Sequence, residues 1–230
     1  MQLTIFTATC IGNAKNCIYP QRRVVTSADE LKEAVAFDHV CAEYTKNYRN
    51  VSNFVKSDVV VMDLDNDHSD NPADWITADM LDGMMPDISY AVAPSRHHML
   101  SKDGQTARPK YHVYFPIEVC ASAETYAALK RAIHKTYPVF DGNALDAARF
   151  IYGADCSEVT WHDGWVNIDE EVQIEEEEED NGTSMVIPAG QRNNTLSRFA
   201  GRVVKRYGAT EKAHGIFLEE AEKCDPPLSD

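Results

Sequence analysis

The sequence predicts an α+β domain followed by a small helical one, and three observations carry that reading. Four consecutive apolar residues, Val59 to Met62, read as a strand buried on both faces. Ile88 to Ala93 and Tyr111 to Val119 read as two more strands, joined through the polar turn at Lys102 to Gln105 as a hairpin. Apolar residues at helical spacing lie between these strands and again beyond residue 185. With 230 residues, 43% of them hydrophobic, the chain can bury one substantial core and carry an appendage.

Taken in order, Leu3 and Ile5 alternate with polar neighbours as a first strand, and Gly12-Asn13 supplies a turn. Ser27 to Glu30 has the spacing of a capping box, and Leu31, Ala34, Val35 and Val40 continue it, which predicts a helix over about 28–41. Tyr44 to Arg49 interleaves aromatic and basic residues; it suits a contact with a nucleic-acid backbone or an ordinary solvated loop. The buried strand then runs into Asp63-Leu64-Asp65, and Asn71-Pro72 opens a second helix through about Leu81. Tyr111 to Val119 puts His112, Tyr114 and Pro116 on one face and Val113, Phe115 and Ile117 on the other. Ser122 begins a helix striped by Tyr126, Leu129, Ile133 and Tyr137, which Pro138 ends. Val139-Phe140 then delivers Asp141 from a short strand, as Val59 to Met62 deliver Asp63.

Nine acids and no base lie between Asp169 and Asp180, so most of the net charge of −15 belongs to one segment. Residues 169–184 therefore read as an extended acidic linker, between a core over 1–168 and a helical domain over 185–230. That last domain has helices at about 194–207 and 210–223. Its Arg192, Arg198, Arg202, Lys205, Arg206 and Lys212 suit nucleic-acid phosphates or a solvated face. The final Asp225 to Asp230 reads as a cut inside a longer protein. No amino-terminal targeting segment or membrane-length apolar run occurs, and the six scattered cysteines lack zinc spacing. A soluble cytoplasmic protein with reduced thiols is expected, and no membrane partner.

Asp63 and Asp65 are alternate residues at a strand end, so both carboxylates are expected to aim at one point while Leu64 returns to the core. Such a pair seats a hard cation such as Mg2+ or Mn2+, and removing either charge is expected to relieve repulsion in the empty site. A bare Asp-x-Asp is also what a solvated strand end looks like.

The wider pattern is more specific: Asp63-x-Asp65, then a strand carrying His112, then an apolar pair ending in Asp141 with Arg149 eight residues on. Around it stand the runs Ala107-Arg-Pro-Lys-Tyr-His-Val-Tyr-Phe-Pro116 and Phe140-Asp-Gly-Asn-Ala-Leu-Asp-Ala-Ala-Arg-Phe-Ile-Tyr-Gly153. This resembles the archaeo-eukaryotic primase superfamily, and the flanking text resembles the primase-polymerases of phages and mobile elements. Ile187 to Leu196 and Cys224 to Ser229 resemble the helical primase C-terminal domain joined to that core. The resemblance implies a primase-type core with an RRM-like antiparallel sheet. The family motif has serine two residues before its histidine, where this chain has Lys110; Ser95-Arg96-His97 fits the literal pattern, but His112 is preferred because it leads into a strand.

The resemblance also implies template-directed nucleotidyl transfer, by attack of a 3′-hydroxyl on a nucleotide α-phosphate with two metal ions, as DNA primase or DNA polymerase. Asp63, Asp65 and Asp141 are the expected metal ligands, and these with His112 the catalytic set. Lys110, His112, Arg149 and Arg96 are expected to hold the nucleotide triphosphate. Asp146, three residues before Arg149 in a helix-favouring stretch, is expected to position that arginine. Implied partners are a single-stranded DNA template, NTP or dNTP, and a helicase domain or protein. The rival readings are a catalytically inactive nucleic-acid-binding replication module of the same fold and another Asp-x-Asp metal-dependent transferase.

Overall fold

The computed structural model describes residues 1–101, 104, 106–155, 158–172, 174, 187–188, 196–197, 199–201, 203–204, 210–222 and 224–225, in two units, Met1–Glu175 and Glu176–Asp230. The first unit begins with β1 (Leu3–Thr7), β2 (Gln21–Val25), α1 (Ala28–Val35) and β3 (His39–Val40), in which β1 is the middle strand of an antiparallel three-stranded sheet. Then come β4 (Glu43–Tyr44), β5 (Phe54–Leu64), α2 (Ala78–Met84), β6 (Tyr90–Pro94), β7 (Tyr111–Cys120), α3 (Ala123–Thr136), β8 (Thr160–His162) and α4 (Ile168–Glu171). The five strands among these form one antiparallel sheet in the order β4-β5-β7-β6-β8.

This sheet is buried on both faces, which is why β5 reads as a continuous apolar run rather than an alternating one. Val60, Met62 and Leu64 join Val113, Phe115 and Ile117 under α3, with Tyr126, Leu129, Ile133 and Phe140. Val59, Val61 and Tyr114 face the other way, against Leu3 and Ile5 of β1 and Leu31, Ala34 and Val35 of α1. The expected division of the two faces of β7, and the inward Leu64, are as found. Asp63 and His112 lie on the β1 side by the same alternation.

Several elements differ from expectation for identifiable reasons. All five residues of β1 are buried, because Thr4 satisfies its polar groups on Asp58: its N–H and Oγ1 donate to the carboxylate at 3.1 and 2.7 Å. The helix expected over 28–41 stops at Val35, although Ser27 Oγ caps Glu30 N–H as anticipated. Beyond it the buried Asp38 collects the N–H groups of Gly12, Asn13 and Gly153 at 2.8–2.9 Å, and Val40 enters a strand. The helix expected over 71–81 is broken after one 3-10 turn, Pro72–Asp74. Asn66 causes the break: its Oδ1 accepts from Ile76 N–H at 2.8 Å and its Nδ2 donates to Ile76 O at 2.9 Å, holding that residue out of the helix.

Val139 and Phe140 form a turn, not a strand. The core unit also extends past residue 168. Ile168 and Val172 are buried in the core, and Asp169, Glu170 and Glu171 form the first turn of α4, where acids suit the positive helix end. The edge strand β8 has no counterpart in the sequence reading, and the acidic run 175–180 lies outside the described residues.

In the second unit, β9 (Ile187–Pro188) pairs in parallel with β10 (Cys224–Asp225), and α5 (Glu211–Ala221) lies between them in sequence. Helical backbone also occurs at 196–197, 199–201 and 203–204. Arg192, Arg198, Arg202, Lys205 and Arg206 lie outside the described residues. The described cysteines are all free thiols, and no helix among the described residues is long and apolar enough to cross a membrane.

Candidate active site

Antiparallel pairing brings the carboxyl ends of β5 and β6 to the amino end of β7, so three loops leave the sheet along one edge. Asp63 and Ala93 flank His112 in one row, and Leu64 and Pro94 flank Tyr111 in the next. Asp63 is almost wholly enclosed, 4% exposed, and each carboxylate oxygen has a partner: Oδ1 accepts from His112 Nδ1 and Oδ2 from Arg149 Nη2, both at 2.7 Å. Its backbone carbonyl accepts from Asp141 N–H, also at 2.7 Å. Residues far apart in sequence, 63, 112, 141 and 149, thus meet at one strand end. Burial works against the charged form of Asp63, but the His112 and Arg149 charges outweigh it and hold the carboxyl well below the usual carboxylate range.

Asp65 lies beyond the strand and does not share these partners. Its side chain is about a third exposed, with Lys110 Nζ at 3.8 Å, while Lys110 is closer to Asp67 Oδ1 at 3.1 Å. Burial raises its pKa, Lys110 opposes that, and the Asp63 charge adds to it. Asp141 Oδ1 accepts from Asn143 N–H and Nδ2, both at 2.9 Å. Phe140, 2% exposed, anchors this turn in the core, and its carbonyl takes a hydrogen bond from His134 Nδ1 at 2.9 Å. Burial of one side chain delivers Asp141 where a strand was expected to.

Arg149 meets Asp63, not Asp146. The stretch around Asp146 is a turn rather than a helix, and Asp146 Oδ1 accepts from Ala148 N–H at 2.8 Å, so the helical pairing expected of 146 and 149 does not form. Arg96 lies with its guanidinium 3.9 Å over the Tyr152 ring. The two histidine motifs prove to be neighbours: Ser95 N–H donates to Lys110 O at 2.8 Å, so the Ser95-Arg96-His97 turn lies against the start of β7. His112 is the histidine whose ring bonds Asp63.

Other residues organise the site and were not anticipated. Lys130, 1% exposed, donates from Nζ to Ala144 O. Tyr44 OH donates to Ala147 O at 2.6 Å, and Arg49 Nη1 to Ala148 O at 2.8 Å. Three side chains thus grip the carbonyls of residues 144, 147 and 148 in the loop that carries Asp141 and Arg149. Arg108, equally buried, ties down the loop after Asp65 through Asn66 O at 3.0 Å and Asp70 Oδ1 at 2.5 Å. Lys130 had a signal, since it lies four residues after Tyr126 on the apolar stripe of α3.

No family model matches the chain, and no curated protein matches it. Among solved structures it is similar to the AEP domain (PP-N190) of the cyanophage S-2L primase-polymerase (PrimPol). The identity is 11%, over 70% of this chain and 81% of that one, with a TM-score of 0.38.

The donor set suits a hard divalent cation by its chemistry. Asp63, Asp65 and Asp141 offer carboxylate oxygens only, each Asp63 oxygen keeps a second lone pair, and the pKa of Asp65 is raised first by burial and then by the charges of Asp63 and Asp67, which a cation would offset. Among the described residues no three His, Cys, Asp or Glu side chains are already grouped at metal-holding distance.

Proposed function

We propose that the chain is a template-directed nucleotidyltransferase, a DNA primase or DNA-directed polymerase, with its reaction centre at Asp63. The observation that carries this reading is the enclosed Asp63 carboxylate bonded to His112 and Arg149, with Asp141 hydrogen-bonded to the same residue's backbone. Asp63 accepts a hydrogen bond from His112 Nδ1–H, which leaves Nε2 as the ring atom facing a phosphate oxygen, to which it donates when the ring is an imidazolium. Arg149 uses one of its five N–H donors on Asp63 and keeps the others for the triphosphate. Lys110 adds a point charge beside them and Arg96 a second guanidinium on the same edge.

Asp63, Asp65 and Asp141 would hold Mg2+ or Mn2+, which when bound stabilises the attacking and leaving oxygens of phosphoryl transfer. The protein's own part is to fix the nucleotide's phosphates and to hold the His112 ring in one orientation. The finer assignment, a primase-polymerase of the phage or mobile-element type with a helical C-terminal domain and a helicase partner, rests on the resemblance of the residue runs around Asp63, His112 and Asp141.

A catalytically inactive nucleic-acid-binding module has one observation in its favour: both Asp63 oxygens are already bonded within the protein. Incorporation of labelled nucleotide on a single-stranded template separates the readings. The proposed enzyme incorporates only with template present, the binding module incorporates none, and another Asp-x-Asp transferase transfers without template.

A further inference from the structure

Residues 1–28 and 44–57 contain no aspartate or glutamate, in a chain whose net charge is −15, and hold Lys15, Arg22, Arg23, Lys46, Arg49 and Lys56. The fold joins parts of these two stretches. Ile18 and Tyr48 form an antiparallel bridge, Tyr19 N–H donates to Asn47 O at 3.0 Å, and Arg49 N–H donates to Cys17 O at 2.7 Å. Lys46 and Asn47 both take φ 56°, a left-handed pair that residues other than glycine adopt rarely. The result is a surface with Lys15 and Lys46 exposed and Ile18, Tyr48 and Val51 between 45% and 50% exposed.

Some of the bases are spent elsewhere: Lys56 faces Glu43 at 3.8 Å, and Arg23 lies over the Phe37 ring. Among the described residues neither Lys15 nor Lys46 has an ion-pair partner. The carboxylate beneath the 9–19 loop, Asp38, is fully buried and spent on backbone N–H groups, so it does not neutralise the surface.

The surface also borders the candidate site on two sides. Arg49 bonds Ala148 O and covers the Phe150 ring at 4.9 Å, and the next residue after Ala148 is Arg149 on Asp63. Arg96 lies 3.2 Å from where a Cβ on Gly12 would stand, which ties the 9–19 loop to the turn beside Lys110.

We infer that this acid-free surface, with Lys15, Ile18, Lys46 and Tyr48 at its centre, binds the single-stranded template where it approaches Asp63. The lysines meet backbone phosphates, and the Tyr48 ring with Ile18 beside it takes an unstacked base. A duplex presents no free base face to such a ring, and an acidic polypeptide would use the lysines without needing it. That the bound strand is a template rests on the nucleotidyl-transfer reading; that the surface takes a single strand rests on charge and exposure alone.

The test is fluorescence anisotropy of a labelled mixed-sequence DNA 20-mer with the full chain, in chelator and without nucleotide, so that it does not depend on activity. Lys15→Glu with Lys46→Glu is expected to weaken binding at least about tenfold and to lower the salt slope by about 1.4, the share of two phosphates on a single strand. Tyr48→Ala is expected to weaken it about tenfold with the salt slope unchanged. Melting temperatures of the variants confirm folding, and Lys15→Gln with Lys46→Gln, a milder change, is expected to fall between wild type and the reversal.

Equal affinity of wild type and the charge reversal would overturn the inference, as would tighter binding of duplex than of single strand. Displacement of the DNA by an equally charged polyglutamate, with Tyr48→Ala indifferent, would assign the surface to an acidic polypeptide and overturn it too. Failure of template-dependent incorporation with this binding intact would instead count against the reaction proposed at Asp63.

Discussion

Asp63 and His112 stand opposite each other across β5 and β7, and His112 Nδ1–H donates to Asp63 Oδ1 at 2.7 Å. A cross-strand pair of this kind makes the aspartate part of the sheet's own structure as well as of the proposed reaction centre. Asp65, two residues on, lies outside the sheet and beside Lys110. The two acids of the motif therefore differ in what their charges do for the fold.

Asp63→Asn is expected to lower the melting temperature, contrary to the relief of repulsion that the bare Asp-x-Asp pattern suggests. It weakens two charge-assisted hydrogen bonds in an enclosed position, a loss of about 2 kcal/mol, or roughly 4–8 °C for a domain of this size. Asp65→Asn should leave the melting temperature unchanged or raise it, because burial and the Asp63 charge disfavour its ionised form. Calorimetry on both variants checks the contrast; an equal shift in the two would contradict it.

His39 makes stability fall on the acid side of neutrality. It is fully buried, with Nδ1 donating to Phe37 O and Nε2 accepting from Tyr114 OH, both at 2.8 Å, and burial brings its pKa down from 6.5 to about 4. Between those values the unfolded chain takes up a proton that the folded chain refuses, so stability is full above pH 6.5 and drops as pH falls toward 4. The loss is roughly 3 kcal/mol across that window. Asp63, whose folded pKa is depressed, adds its own loss only below the unfolded carboxylate range near pH 4. His39→Gln keeps a donor and an acceptor but cannot titrate, so its urea midpoint should vary less between pH 6.5 and 4 than that of wild type.

What was legible in the sequence was whatever depends on local pattern. The apolar run of β5, the faces of β7, and Ser122 capping α3 by accepting from Thr125 N–H at 3.2 Å all follow from neighbours a few residues apart. The places where Asn66 breaks a helix or Asp38 redirects the chain were not legible, because each bond there spans 10 to 115 residues. The candidate residues 63, 112 and 149 converge through strand pairing and one salt bridge, whereas their order alone could not say that Arg149 would choose Asp63 over Asp146. Lys130 was legible as buried from its place on the apolar stripe of α3, but the carbonyl it reaches lies in a loop that only the fold brings near.

A divalent ion that uses Asp65 and Asp141 should stabilise the folded chain by mass action, about 2.7 kcal/mol at a hundredfold excess over its dissociation constant. Mn2+ or Mg2+ is therefore expected to raise the wild-type melting temperature. Asp65→Asn and Asp141→Asn should lose that rise, while Asp146→Asn, whose carboxylate caps Ala148 N–H, should keep it. The same rise in all four proteins would show that the ion binds elsewhere.

Lys130 offers the sharpest separation of fold from site. Burial brings its pKa down to about 8, against the pull of Asp63 and Asp146, so the folded chain holds this ammonium at a cost that those charges and the bond to Ala144 O offset only in part. Between pH 8 and 10.5 the unfolded chain keeps a proton that the folded chain has released, so this residue's contribution makes stability rise with pH over that window. Lys130→Met fills similar space without the charge, and such replacements of buried ionic groups by apolar ones are often neutral or stabilising. Its melting temperature near pH 7 should therefore match or exceed that of wild type, and its rise between pH 8 and 10.5 should be smaller. The loop 144–148, however, loses one of its three tethers, leaving Tyr44 and Arg49 to position Arg149. In the proposed reaction, KM for the nucleotide should then rise several-fold more than kcat falls, a split expected of an arginine that binds phosphate. A destabilised Lys130→Met with unaltered kinetics would show instead that the lysine serves the core and not the loop.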